Sequence, residues 1–185
     1  YAEKVVRLPD SYQVNSARRV NSAQHPGRAA AKLPESGFVF CCFNNNYKIT
    51  PDVFDIWMRL LVRIDGSVLW LLEGSADASR NLRLEAEARG VRAERLVFAP
   101  RMPPSDHLAR HRLADLFLDT LPCNAHTTAS DALWAGLPVL TCRGNAFPGR
   151  VAASVLRAIG LPELIAENLD AYEALAFKLA TTPAL

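Results

Sequence analysis

The chain has 185 residues, half of them hydrophobic, with a formal net charge of +2. That length suits one domain with interior enough for a real core, and the near-balance of charge implies no pull toward nucleic acid or a membrane surface. No apolar stretch approaches membrane-spanning length, and no signal peptide is visible.

Residues 1–36 read as a lead-in. Tyr1 to Pro9 has a little apolar content. Asn15 to Lys32 is rich in Ser, Asn, Arg and Ala, has no period and contains Pro26-Gly27, which reads as a linker or irregular loop. Organised structure is expected from Gly37, so that 37–185 forms the folded lobe. The chain starts with Tyr and stops at Thr-Pro-Ala-Leu, which reads as a piece of a longer protein.

Phe38 to Phe43 is a continuous apolar run, the pattern of a strand buried on both faces. A polar loop, Asn44 to Lys48, follows. Thr50-Pro51-Asp52 opens a helix with a cap, Pro at the first position and an acid in the first turn. Phe54, Trp57, Leu60, Leu61 and Ile64 mark its apolar face, and Asp65-Gly66 ends it. Ser67 to Leu72 reads as a second strand and Ala76 to Arg89 as an exposed helix ending at Gly90. Leu96 to Phe98 is a third strand and Pro103 to His111 a short helix. Ala114 to Leu118 is the fourth strand, Thr127 to Ala135 the fourth helix and Val139 to Thr141 the fifth strand. Arg150 to Ile159 and Leu169 to Leu179 close the chain as helices, with Leu164-Ile165 as a short sixth strand. Trp57, Trp70 and Trp134 sit within apolar faces and are read as core.

Strands alternating with helices predict crossover units in a parallel sheet. The fold class is therefore α/β, a doubly wound, Rossmann-like lobe. Such sheets bind ligands at the carboxyl ends of their strands, near the point where strand order reverses. That rule selects the loops 44–48, 73–75, 99–106 and 119–127. No G-x-G-x-x-G follows the first strand and no Walker loop is present, which disfavours dinucleotide dehydrogenases and P-loop enzymes.

The centre of the chain is Cys123 to Pro138, C-N-A-H-T-T-A-S-D-A-L-W-A-G-L-P. The helix should begin near Thr127 and Thr128, with a hydroxyl residue as its cap, and end near Gly136. Free backbone N–H groups and the dipole make such a start an anion site. The two threonines and His126 add donors, and Asp131, one turn in, is placed to accept from a ribose. The plainer reading is a cap and a dipole-answering acid. Lys48, after the first strand, can reach a phosphate as a mobile point charge. His107 and Arg110 share a helix face, suited to stacking on a base and donating to its carbonyl. His107 and His111 also have a metal-ligand spacing, but no third ligand accompanies them, so no metal is expected. Cys41, Cys42, Cys123 and Cys142 form no C-x-x-C pair and read as reduced thiols of a cytoplasmic protein.

F-x-x-F-N-N-N-Y-K-I-T-P at 40–51, S-V-L-W-L-L at 67–72, H-x-x-R at 107–110, L-A-D-L-F-L-D-T at 113–120, the run at 123–138 and R-V-A-A-S at 150–154 resemble the O-linked N-acetylglucosamine transferase family, including bacterial and SPINDLY-type relatives. The resemblance runs from about Gly37 to Lys178, and Tyr1 to Pro9 looks like the segment preceding the family's second catalytic lobe. It implies the second, UDP-holding lobe of a two-lobe GT-B glycosyltransferase with tetratricopeptide repeats in the parent protein. The implied activity is inverting transfer of N-acetylglucosamine from UDP-GlcNAc to protein Ser or Thr hydroxyls, without a metal ion or other cofactor. By position, Lys48 is implied to stabilise the leaving diphosphate. His126, Thr127 and Thr128 are implied to hold the phosphates, Asp131 the ribose, and His107 and Arg110 the uracil. The family often has Gln at the place of Asn45, which can still bond a phosphate with shorter reach, and Lys at the place of Pro104. A missing N-terminal lobe is implied, leaving this piece inactive alone. Two alternatives stay open. One is a GT-B transferase using GDP-fucose or a glycan or small-molecule acceptor; the other is a non-catalytic scaffold or interaction module.

Overall fold

The computed structural model describes residues 2–6, 8–16, 18, 19, 22 and 27–182. Readings that rest on Tyr1, Pro26 or the final Pro-Ala-Leu lie outside them. Six parallel strands form one sheet: β1 (Val39–Cys42), β2 (Val68–Leu72), β3 (Leu96–Ala99), β4 (Leu116–Leu118), β5 (Val139–Cys142) and β6 (Ile165–Ala166). Their order is β3-β2-β1-β4-β5-β6. Six α-helices accompany them among the described residues: α1 (Pro51–Arg63), α2 (Ala76–Glu87), α3 (Pro104–Arg110), α4 (Thr127–Trp134), α5 (Val151–Ala158) and α6 (Leu169–Thr181). The doubly wound α/β expectation is met. Strand order reverses between β1 and β4, where Phe40 pairs with Leu116 and Cys41 with Phe117.

All four residues of β1 are buried, as the unbroken apolar run requires of a strand covered on both faces. Gly37, just before it, has φ +108°, and a Cβ there would stand 2.3 Å from the Gly66 carbonyl oxygen. Only glycine lets the backbones entering β1 and β2 approach this closely. α1 buries Val53, Phe54, Ile56, Trp57, Leu60 and Leu61 and packs against α6. α4 packs between α3 and α5. Among the described residues no helix is long and apolar enough to cross a membrane.

Three local expectations need correction. Thr50 precedes α1, but its hydroxyl makes no cap; it donates to the Leu121 carbonyl at 3.2 Å, tying α1 to the loop after β4. Trp134 is 43% exposed. The buried stripe of the short α4 is Ala129 to Ala132, which turns Trp134 outward. Packed structure also begins before Gly37. Arg28 donates to both Asp115 carboxylate oxygens, to the Gly37 carbonyl and to the Leu113 carbonyl, and Leu33 enters the core.

Candidate functional site

The loops leaving β1 and β4 face each other at the switch point, where crossovers depart in opposite directions and leave a crevice. There the chain forms a cleft of about 670 Å³. From the first loop come Asn45 and Lys48; from α3, His107 and Arg110; from the start of α4, His126, Thr127, Thr128 and Asp131. All eight residues singled out in the sequence thus line one cavity. Loop 99–106 adds Arg101, Met102 and Pro104, while loop 73–75 adds nothing.

α4 starts one residue earlier than a threonine cap would place it. His126 occupies the cap position, with φ −108° and ψ −90°, and no side chain caps the helix. The first helical bond runs from Ser130 N to the His126 carbonyl at 3.2 Å, so among the described residues nothing takes the N–H groups of Thr127, Thr128 and Ala129, the donors a helix start offers to an anion. Thr127 is exposed. The Thr128 hydroxyl donates to Asn44 Oδ1, so its role as an outward donor is not what the sequence suggested. At the other end, Gly136 takes φ +86° and the Leu137 N–H returns to the Ala132 carbonyl at 2.9 Å, stopping the helix as the glycine predicts.

The loop between β4 and α4 is built on Asp119, which is only 2% exposed. Its Oδ1 accepts from Thr120 N at 2.7 Å and Ala125 N at 2.6 Å, and its Oδ2 from the Thr141 hydroxyl at 2.7 Å. Burial pushes this carboxyl up to about 6, against the pull of those donors. Asn124 is wholly buried, and its Nδ2 donates to the Thr120 carbonyl at 2.8 Å. The Asn124 carbonyl accepts from Lys48 Nζ at 2.8 Å. Lys48 is thereby held across the switch point; burial lowers the His126 pKa, and the nearby Lys48 charge adds a smaller push in the same direction.

His107 is pressed against Phe43, ring centroids 5.4 Å apart, and against His111 at 4.9 Å. Burial and the neighbouring Arg110 cation drive it down to about 3, so the ring is neutral near pH 7. Arg110 Nη2 donates to His107 Nδ1 at 2.5 Å, which leaves the ring proton on Nε2. Arg110 is itself only 2% exposed, donates to the Pro100 carbonyl at 2.6 Å and lies over the Phe43 ring. Its guanidinium orients His107 from within the wall of the cleft, while its Nε has no partner among the described residues. His111 Nδ1 lies 2.7 Å from the His107 carbonyl, and among the described residues no group of three metal-ligating side chains gathers.

These features give a neutral aromatic wall, a helix start with unpaired N–H groups and a lysine opposite, and a carboxylate one turn further in. The glycosyl transferase family 41 model matches residues 13–184. The chain belongs to glycosyl transferase family 41.

It is 39% identical over 186 residues to the probable UDP-N-acetylglucosamine--peptide N-acetylglucosaminyltransferase SEC of Arabidopsis thaliana, covering 97% of this chain and 19% of that protein. It is 39% identical over 161 residues to the UDP-N-acetylglucosamine--peptide N-acetylglucosaminyltransferase of Caenorhabditis elegans, covering 87% of this chain and 14% of the relative. A solved mutant of the Thermobaculum terrenum O-GlcNAc transferase superposes with TM-score 0.84 at 32% identity, over 98% of this chain and 34% of its own. The chain therefore spans about a fifth or less of the curated relatives and a third of the solved one. Its α/β sheet is a Rossmann-like lobe, the fold it shares with the matching part of that transferase.

Four residues of this family 41 site escaped the sequence reading: Tyr12, Arg19, Asn44 and Asp119. Asp119 carried a signal, an acid ending a buried strand on the ligand-facing edge of the sheet. Asn44 lay in a selected loop without being assigned a task. Tyr12 and Arg19 carried none. Tyr12 Oη lies 2.6 Å from His126 Nδ1, and Arg19 pairs with Asp131, across 114 and 112 positions of sequence.

Proposed function

We propose that this chain is the nucleotide-sugar-binding lobe of a transferase moving N-acetylglucosamine from UDP-N-acetylglucosamine to Ser or Thr hydroxyls of proteins. Residues 37–185 form the lobe and 1–36 its lead-in. The parent protein carries the partner lobe and tetratricopeptide repeats and works in the cytoplasm. The supporting observation is the opposition of Lys48 and the free N–H groups of α4 across the switch point. Departure of UDP leaves negative charge on the bridging oxygen and the diphosphate. Fixed donors and a cation aimed there need no reorganisation as that charge develops. The α4 N–H groups and Thr127 hold the phosphates, with His126 and Asn45 beside them. Asp131 accepts from the ribose, and His107 presents its face to uracil, held by Arg110.

Calorimetric titration of the chain with UDP, GDP, UDP-N-acetylglucosamine and inorganic pyrophosphate tests this. UDP should bind more tightly than GDP; the reverse order would favour a guanosine donor. Removing the ring with His107→Ala should weaken UDP by about 1–3 kcal/mol, the usual range for a lost base stack. Pyrophosphate should bind almost unchanged, because the change is remote from the helix start. Equal losses for both ligands would assign His107 to the fold or the phosphate instead.

A further inference from the structure

The lead-in enters the cleft. Its Tyr12 meets His126 at the start of α4, Arg19 meets Asp131 one turn on, and Ser22 N donates to the Ser105 carbonyl in α3 at 3.2 Å. Arg19 is one of the cavity's lining residues. We infer that Arg19 is a positioning residue of the nucleotide site, holding Asp131 as the acceptor for the ribose hydroxyls. This rests on the nucleotide-binding reading above and extends the site to a segment of irregular sequence.

The two carboxylate oxygens of Asp131 are unequal. Arg19 Nη2 donates to Asp131 Oδ1, and the pair is largely covered, with side-chain exposures of 22% and 12%. Among the described residues Oδ2 accepts nothing, so its lone pairs remain for a hydroxyl. A carboxylate this deep loses water and drifts toward its neutral form, which would cost it one acceptor position. Burial does raise the Asp131 pKa, and Arg19 opposes the rise. One oxygen anchored by a guanidinium leaves the other charged and open to a hydroxyl. Arg19 is anchored in turn, since its Nη1 donates to Asn15 Oδ1 at 3.3 Å and its N–H to the Ser16 carbonyl at 3.4 Å.

The test is titration of the unchanged chain, Arg19→Ala, Arg19→Lys and Asp131→Asn with three ligands: UDP, 2′,3′-dideoxyuridine diphosphate and pyrophosphate. Arg19→Ala should lower UDP affinity about tenfold, as for a lost hydrogen bond to a charged group. The dideoxy nucleotide and pyrophosphate should hardly notice it. Arg19→Lys should recover part of the loss, and Arg19→Ala should add little once Asp131 is Asn. A uniform loss across the three ligands would overturn the inference in favour of a general charge effect. Unchanged or tighter UDP binding by Arg19→Ala would also overturn it, the latter marking Arg19 as an obstruction. If the unchanged chain binds no UDP, the functional reading fails and this falls with it; UDP binding indifferent to Arg19 refutes only the role of Arg19.

Discussion

Under the proposed function, Lys48→Met in a protein carrying both lobes should lower kcat by roughly 10²–10³, comparable to losing one preorganised donor at a developing oxyanion. Methionine keeps much of the apolar stem, so the loop after β1 should keep its packing. What disappears is the ammonium that reaches across to the Asn124 carbonyl. An interaction that strengthens as the leaving group gains charge lowers kcat when removed, not only the apparent affinity. Donor affinity should fall less, because in the proposed site the N–H groups of Thr127, Thr128 and Ala129 remain to hold the phosphates. Lys48→Arg should rescue only part, since a planar fork does not replace a compact ammonium. Steady-state kinetics alongside UDP titration on the same variants decides the matter. A raised KM with kcat intact would make Lys48 a binding residue alone; no change in either would remove it from the site.

The second large effect concerns Asp119 and can be read without an activity assay. Asp119→Ala leaves Thr120 N, Ala125 N and the Thr141 hydroxyl without their acceptor, all in residues at most 1% exposed. Stranded buried donors cost about 1–3 kcal/mol each and are not additive, so a loss of roughly 3–5 kcal/mol in chemical unfolding is expected. Asp119→Asn is the sharper variant, since it keeps Oδ1, and the Thr141 hydroxyl can turn to accept. With a folded-state value of about 6 against 3.8, the native protein binds the proton more tightly than the unfolded chain. Native stability should therefore decline, relative to Asp119→Asn, as pH rises from about 4 to 6. That decline should then level off after ~3 kcal/mol in total. Parallel stability curves for the two proteins over that range would show that Asp119 is not held protonated by its burial.

The sheet was legible because its strands are short, unbroken apolar runs, and a parallel sheet buried on both faces demands that pattern. α4 was legible at its end, where Gly136 and Pro138 forbid continuation, and less so at its start. Helix caps depend on one backbone torsion, and nothing in H-T-T says that His126 rather than Thr127 will take it. Residue type placed Arg110 beside the cleft, but only packing shows its guanidinium turned inward against Phe43 and onto His107. The lead-in was the least legible part. Its contacts with Asp131 and His126 join segments over a hundred positions apart, and they depend on single side chains rather than on any periodic pattern.

Tyr172 lies on α6, away from the cleft. Its hydroxyl nevertheless donates to the Asp119 carbonyl at 2.9 Å and accepts from Trp57 Nε1 at 3.2 Å. A single phenol thus joins α1, α6 and the start of the loop after β4. The final helix behaves as a buttress for a site it never touches. Trimming the chain ahead of residue 169 would therefore loosen the footing of Lys48 and of α4 while leaving every cleft-lining side chain in the sequence.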